Sequence, residues 1–343
     1  MSNLRYIREI GRGGSGSVWL AEDLGTTALR AVKLVAPSAI SDLEAFNEEA
    51  RVLNLLEHPN IIRVYGTEIG APSSDGPDGG MYAIIMEYMK DGSLEDAIKV
   101  GGLLLRDALH RFAQACRGAE RAHANGYVHR DIKPANILLN GLETKLSDFG
   151  LAQPLRDGFG LAAGTPIYIA PEVIESGLTS TRSDIYSLGV TLYELVNGPE
   201  FLQWNGLPAE LGHAITRGTF PDRTDHAPFV PARIRKVIKK ALAVDSLRRF
   251  TSVADFRHAL ELVRVQCSWQ RQKGAGECWL GMGTHGLFRI RVDSASGTLD
   301  VARCKTAPGT FRRVTADCLA GATTREVRQR QEIVMQRITT EGR

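Results

Sequence analysis

The chain is most tightly constrained by a run of polar groups between residues 129 and 172. HRDIKPANIL at 129–138 sets a carboxylate (Asp131), an ammonium (Lys133) and a carboxamide (Asn136) within six positions. A second carboxylate, Asp148 of a DFG, follows twelve residues after Asn136, and Ala170-Pro171-Glu172 closes the run. Each group alone reads as an ordinary solvated side chain. Several such motifs in order, with fixed gaps and with those upstream included, are not readily assembled by chance.

Upstream, Gly11-x-Gly13-x-x-Gly16, followed by Val18, lies inside YIREIGRGGSGSVWLAED, which reads as two strands around a turn. Glycines let a backbone close over phosphates without Cβ obstruction. The strand–turn–strand setting excludes a dinucleotide fold, which needs a strand and then a helix. Taken alone, the motif is equally a plain Gly-rich hairpin. AVK at 31–33 follows on a third strand, where a lysine is ordinarily an exposed charge. Ser41 is a fair N-cap for a helix through about Leu56, which carries Glu48 and Glu49, and HPNII begins nine residues after Glu49. GAPSSDGPDGG at 70–80 is expected to be a solvent loop between strands. Helical patterning is expected over 93–100, 104–125, 181–197, 231–243 and 252–265.

Bulk properties set the limits. With 343 residues, 43% of them hydrophobic and 24% charged, the chain can bury a sizeable core. A length of this order suggests about two domains. The N-terminus has no apolar signal-peptide stretch, and nowhere do ~18 apolar residues run together, so neither export nor a membrane span is expected. Five cysteines (116, 267, 278, 304, 318) include no CxxC pair. That pattern fits a reduced, cytoplasmic protein and gives zinc no support.

Together these motifs resemble the eukaryotic-like, bacterial-type serine/threonine protein kinases, over about residues 6–263. The resemblance implies a bilobal α+β fold, with a small mostly-β N-lobe (about 1–89) and a large helical C-lobe (about 90–263). It implies ATP and Mg2+ as cofactors. Asp131 would orient a substrate hydroxyl and accept its proton, and Lys133 would stabilise the transferring phosphoryl group. Asn136 and Asp148 would hold magnesium. Lys33 would hold the α- and β-phosphates and pair with Glu49, with Glu48 second. Gly11, Gly13 and Gly16 would cover the phosphates, and Val18, Ala31 and Leu138 would enclose adenine. Met86 looks like the gatekeeper, with Glu87 and Met89 at the hinge. Such apolar residues are more often plain core, and only their register beside the motifs promotes them. His129, Phe149, Leu53 and Val64 resemble a stacked internal spine, which makes His129 a core residue and not a base. Asp184 resembles the residue that props the catalytic loop. Glu172 would pair with Arg249 in a buried ion pair. Lys133, two positions after Asp131, favours Ser/Thr over Tyr.

The segment from Leu151 to Gly164 holds no Ser, Thr or Tyr. In the family, an arginine such as Arg130 commonly binds a phosphate on this loop. Asp157 is the candidate fixed charge in its place, which implies activity without loop phosphorylation. Thr165 matches a position that hydrogen-bonds to the catalytic Asp and Lys. A competing expectation is a partner protein, or the basic tail, ordering the loop.

Residues 264–343 resemble nothing comparable. They carry 14 Lys and Arg against 7 Asp and Glu, whereas the first 263 residues balance to −4. RQKGAGE at 271–277 is expected to be a linker. Phe288, Ile290 and Val292 alternate with arginines, and DSASG leads back to Leu299 and Val301, which predicts a hairpin. Thr323 with Glu326 predicts a capping box before a last helix at about 324–339. GMGTHG at 281–286 repeats Gly-x-Gly-x-x-Gly but reads as a turn, and Trp269 and Trp279 read as packing residues of a small αβ module. The positive balance suits an acidic partner or a solvated helix face, and no motif supports nucleic acid.

The leading functional expectation is an active kinase acting on Ser/Thr of protein substrates. A nucleotide-binding pseudokinase scaffold is the alternative, and intact Lys33, Asp131 and Asp148 argue against it. A small-molecule phosphotransferase is a third, against which the Ala-Pro-Glu segment and Arg249 speak.

Overall fold

The computed structural model describes residues 3–13, 16–36, 51–73, 76–149, 153–154, 166–272, 276–306 and 309–343. Two compact units are formed, one from residues 1–97 and 114–188, the other from residues 98–113 and 189–343. Glu48, Glu49, Asp157 and Thr165, and the expected N-cap Ser41, lie outside the described residues.

The first unit opens with a five-stranded antiparallel sheet, order β1-β2-β3-β5-β4. Its strands are β1 (Leu4–Gly13), β2 (Gly16–Asp23), β3 (Leu29–Val35), β4 (Val64–Ser73) and β5 (Gly76–Glu87). Alternation gives the sheet two distinct faces. Ala21, Val32, Leu34 and Ala83 are buried together, with Trp19 and Tyr6 against them. The expected loop at 70–80 is instead largely ladder: Ala71 pairs with Met81 and Ser73 with Gly76. Turn-forming residues mark the hairpin tip, and the ladder near it is irregular, with register shifts at Ile69/Ala71 and Ala71/Ser73 as suits a glycine-rich strand end.

Beyond the sheet come α1 (Leu94–Lys99), α2 (Leu105–Ala124) and short strands β6 (Tyr127–Val128), β7 (Ile137–Asn140), β8 (Glu143–Leu146) and β9 (Gln153–Pro154). β6 pairs with β9 and β7 with β8. These pairings bracket the 129–136 loop and the Asp148 turn. Helices α3 (Pro171–Ser176) and α4 (Thr181–Asn197) follow.

The second unit contains α5 (Pro208–Arg217), α6 (Ala232–Ala241) and α7 (Val253–Glu261). It ends in an antiparallel sheet, β10 (Cys267–Gln272), β11 (Glu277–Gly283), β12 (Gly286–Asp293), β13 (Thr298–Cys304) and β14 (Arg312–Arg313), with α8 (Thr324–Glu341). The expected hairpin is the β12–β13 pair of this larger sheet. The expected linker at 271–277 is instead the β10–β11 connection. Trp269 on β10 is 5% exposed, so the fold of this part begins before the linker-like residues. Val327, Val334, Met335 and Ile338 of α8 cover Trp269, Phe288, Ile290 and Val301. Thr323 and Glu326 form the capping box: Thr323 Oγ1 accepts from the Glu326 amide at 3.3 Å and Glu326 Oε2 from the Thr323 amide at 2.8 Å. GMGTHG is the β11–β12 turn. A Cβ on Gly281 would come within 2.8 Å of the Trp269 ring, so packing accounts for that glycine without any ligand.

Candidate active site

The N-terminal sheet builds one wall of the site. Residues directly opposite in an antiparallel pair share a face. Val18 lies opposite Lys33, and Ala31 and Lys33 lie opposite Met86 and Ile84. Gly11 stands opposite Val18. The ladder thus brings Gly11, Val18, Ala31, Lys33 and Met86 to one face. Gly13 pairs with Gly16, which has φ 135°. A Cβ on Gly16 would fall 2.1 Å from the Leu34 carbonyl oxygen, so only glycine fits there.

Lys33 is 6% exposed, and its Nζ donates to Asp148 Oδ1 at 3.0 Å. Burial acts to raise the Asp148 carboxyl, but the charge and hydrogen bond of Lys33 outweigh it and hold the group below its ordinary range. Asp148 has φ 61°, left-handed for a non-glycine residue, as does Arg130 at 74°. Such backbone persists where surrounding contacts fix it.

The 129–136 loop supplies the second cluster. Lys133 Nζ donates to Asp131 Oδ2 at 2.7 Å, and Asn136 Nδ2 donates to the same oxygen at 3.0 Å and to the Asp131 carbonyl at 2.8 Å. The Asn136 carbonyl accepts from the Ser147 amide at 2.9 Å, which ties this loop to the residue before Asp148. Asp184, 1% exposed, accepts from the amides of His129 (2.8 Å) and Arg130 (2.9 Å) and from His123 Nε2 (2.7 Å). Burial acts to raise its carboxyl, yet the His123 hydrogen bond and charge and the Arg130 amide pull it below the usual range. His129 is fully buried, packs on Phe149 at 4.5 Å and shares a hydrogen bond with the Ser147 carbonyl at 3.0 Å. Burial pushes its pKa down, as suits a core imidazole. Leu53 is buried as well.

At the end of β5, Met86 and Met89 are buried and Glu87 has a role the sequence did not suggest. Its amide donates to the Arg63 carbonyl at 3.0 Å, so that N–H is taken. Its carboxylate accepts from the Arg63 amide at 2.6 Å and from Lys145 Nζ at 2.7 Å. Lys145 of β8 and His123 were not singled out in the sequence. Their partners are 58 and 61 residues away, and no local spacing signals such pairs. Leu138 lies on β7 opposite Lys145. Glu172 is in the first turn of α3 in one unit, and Arg249, 3% exposed, belongs to the other, where its Nε donates to the Ala243 carbonyl at 2.8 Å.

Asn136 Oδ1 and the second oxygen of Asp148 have no partner among the described residues. Two open oxygen donors beside a buried lysine suit a hard cation and an anionic phosphate chain. Among the described residues no cluster of three His, Cys, Asp or Glu forms.

The model of the protein kinase domain matches residues 4–261. The chain belongs to the protein kinase family. Its α+β fold, with a β-sheet part ahead of a helical part, is the one the motifs implied. It is 33% identical over 268 residues to serine/threonine-protein kinase PknJ of Mycobacterium tuberculosis, covering 74% of this chain and 44% of that protein. It is 33% identical over 261 residues to serine/threonine-protein kinase PrkC of Bacillus subtilis, covering 73% and 39%. With serine/threonine-protein kinase Pkn1 of Myxococcus xanthus the match is 33% over 321 residues, covering 86% and 45%. The kinase chain thus spans less than half the length of these curated relatives. No helix among its described residues is long and apolar enough to cross a membrane.

Proposed function

We propose that this chain is a serine/threonine protein kinase that transfers the γ-phosphoryl group of Mg-ATP to hydroxyls of protein substrates. The observation that carries the reading is the ion pair of the buried Lys33 with Asp148, in the same unit as the hydrogen-bonded Asp131, Lys133 and Asn136. The names of the relatives, all serine/threonine-protein kinases, support it.

In this reading Lys33 binds phosphate oxygens on the floor formed by Val18 and Ala31, under the glycines of the β1–β2 hairpin. Adenine lies between Val18, Ala31 and Leu138, with Met86 behind and Glu87 and Met89 at the edge. Asn136 and Asp148 hold magnesium, which when bound neutralises charge on the phosphates. Asp131 orients the substrate hydroxyl and takes its proton, and Lys133 holds negative charge that develops on the transferred group. Phosphoryl transfer asks little more of a protein than this positioning and charge compensation. Glu49 is the helix partner of Lys33 in this scheme.

The finer reading concerns regulation. Asp157 supplies Arg130 with the fixed negative charge that a phosphate supplies elsewhere, so that the kinase acts without loop phosphorylation, and Thr165 bonds to Asp131 and Lys133. Asp157→Asn then lowers kcat severalfold; unchanged turnover removes this part of the proposal. A regulatory or acidic partner for the basic C-terminal part belongs to the same reading.

The deciding experiment is the intact mass of the purified protein before and after incubation with Mg-ATP, beside Asp148→Asn. Added phosphate in the wild type alone is the expected result. No added mass in either, together with no transfer to a generic Ser/Thr protein substrate, overturns the proposal.

A further inference from the structure

The C-terminal sheet and α8 leave a cavity of about 380 Å3 that phosphoryl transfer does not use. Volumes of this order hold small-molecule ligands. Phe288, Val301, Val314 and Ile338 supply its apolar lining, and Arg303, Arg337, Arg343, Asp317 and Glu341 its charged groups. We propose that this cavity binds a small organic anion, a carboxylate or phosphate monoester on an apolar body, with Arg303 as the counter-charge.

The register of β13 makes Arg303 exceptional. Leu299, Val301 and Arg303 lie opposite Val292, Ile290 and Phe288, so all three side chains share the helix-covered face. Two of those positions are core, and the third puts a guanidinium 5.4 Å over the Phe288 ring. One Arg303 amino group donates to the His285 carbonyl at 3.0 Å, while its Nε is buried without an acceptor. A buried donor without an acceptor is costly, and more so when charged.

The other charges of the cavity are already matched. Asp317, 3% exposed, is held by Arg337 at 2.5 Å, with Arg330 at 3.8 Å. Glu341 pairs with Arg343 at 3.5 Å. Arg303 has no such carboxylate among the described residues, so one positive charge is left on an apolar floor. Arg337 Nε is a second buried donor without an acceptor in the same lining. An oxyanion supplies both the acceptor and the missing charge through a charge-assisted hydrogen bond. Val314 and Ala316, which are not buried, offer apolar surface to the remaining atoms of such a ligand, and a bare inorganic ion would leave that surface uncovered.

The test uses the full chain saturated with Mg-ATP, so that binding at the kinase site does not interfere. Benzoate, phenyl phosphate, inorganic phosphate and neutral benzyl alcohol are titrated with ligand-observed NMR. Benzoate or phenyl phosphate is expected to bind saturably, with Kd of ~1 mM or tighter, at least about tenfold more tightly than benzyl alcohol or inorganic phosphate. Arg303→Gln, which removes the charge, and Ala316→Trp, which fills the lining and leaves every charge in place, should each weaken binding about tenfold or more. Both variants should retain wild-type amide-exchange protection in β10–β13 and α8, which monitors folding of the part that holds the cavity. Absence of saturable binding up to ~10 mM overturns the proposal. So does equal affinity in wild type and Arg303→Gln. A loss in Arg303→Gln with none in Ala316→Trp locates the anion outside the cavity and overturns it as well.

Discussion

Asp184 is where a single side chain carries the most structure. Its carboxylate accepts from two consecutive loop amides and from His123, all at 2.7–2.9 Å, while almost fully buried. Asparagine offers one acceptor oxygen and turns an NH2 towards the remaining donors. Asp184→Asn should therefore cost about 3 kcal/mol of stability, as for other broken buried charge pairs, and lower kcat by displacing Asp131. Urea unfolding and steady-state kinetics check the two effects. The pH dependence has a definite sign. Because the folded carboxyl is held below its unfolded value, its contribution is present above the ordinary carboxylate range and is lost as pH falls through the lowered value. The acid limb of the stability profile should flatten in the asparagine variant. The wild-type profile remaining unchanged by the substitution would refute this account.

Among the elements, α8 depends most on its first turn. The reciprocal Thr323–Glu326 bonds satisfy donors that a helix start leaves open, so Thr323→Ala should cost about 1 kcal/mol, read as a lower thermal midpoint. The helix also carries a polar tie on its buried stripe: Gln331, 3% exposed, donates to Glu277 at 2.6 Å, and Glu277 accepts from Trp279 at 2.7 Å. The segment ahead of α6 has a different sensitivity. His226 sits against the Tyr193 ring at 5.5 Å and within 3.2 Å of the Asn197 amide. Burial first, then the charge of Arg235, pushes its pKa down to about 4, with Arg223, Asp222 and Glu332 acting the other way. The unfolded chain then binds the extra proton between about pH 6.5 and that value, so stability falls as pH drops through this window. His226→Asn should remove that slope in urea midpoints measured between about pH 4.5 and 7.

For the molecule as a whole, the C-terminal sheet and α8 are built into the second unit. Trp279 packs on Phe229 at 5.6 Å, Arg235 pairs with Glu332 at 2.5 Å, and Arg106 donates to the Val265 carbonyl at 2.9 Å. Removal of residues 264–343 strips partners from Phe229, Arg235 and Arg106. The truncated chain is expected to keep ATP affinity, because Lys33, Asn136 and Asp148 belong to the other unit. It should also be less soluble, since an aromatic ring loses its cover. Calorimetric titration with an ATP analogue and sedimentation check both. Loss of nucleotide binding would make the C-terminal part essential to the kinase site.

The sequence by itself determined the family, because its motifs, with Asp131, Lys133, Asn136 and Asp148 among them, stand at short, fixed separations that survive in one dimension. It also determined the β12–β13 hairpin and the start of α8, where period-two alternation and a capping pair are local signals. Only the tertiary structure decided the rest. Asp184 with His123, and Glu87 with Lys145, join residues some sixty positions apart, and nothing local predicts which carboxylate meets which base. The linker-like 271–277 became a strand connection because Trp269 needed a core to enter, and β13 left Arg303 on the apolar face because register, not composition, assigns a strand residue its side.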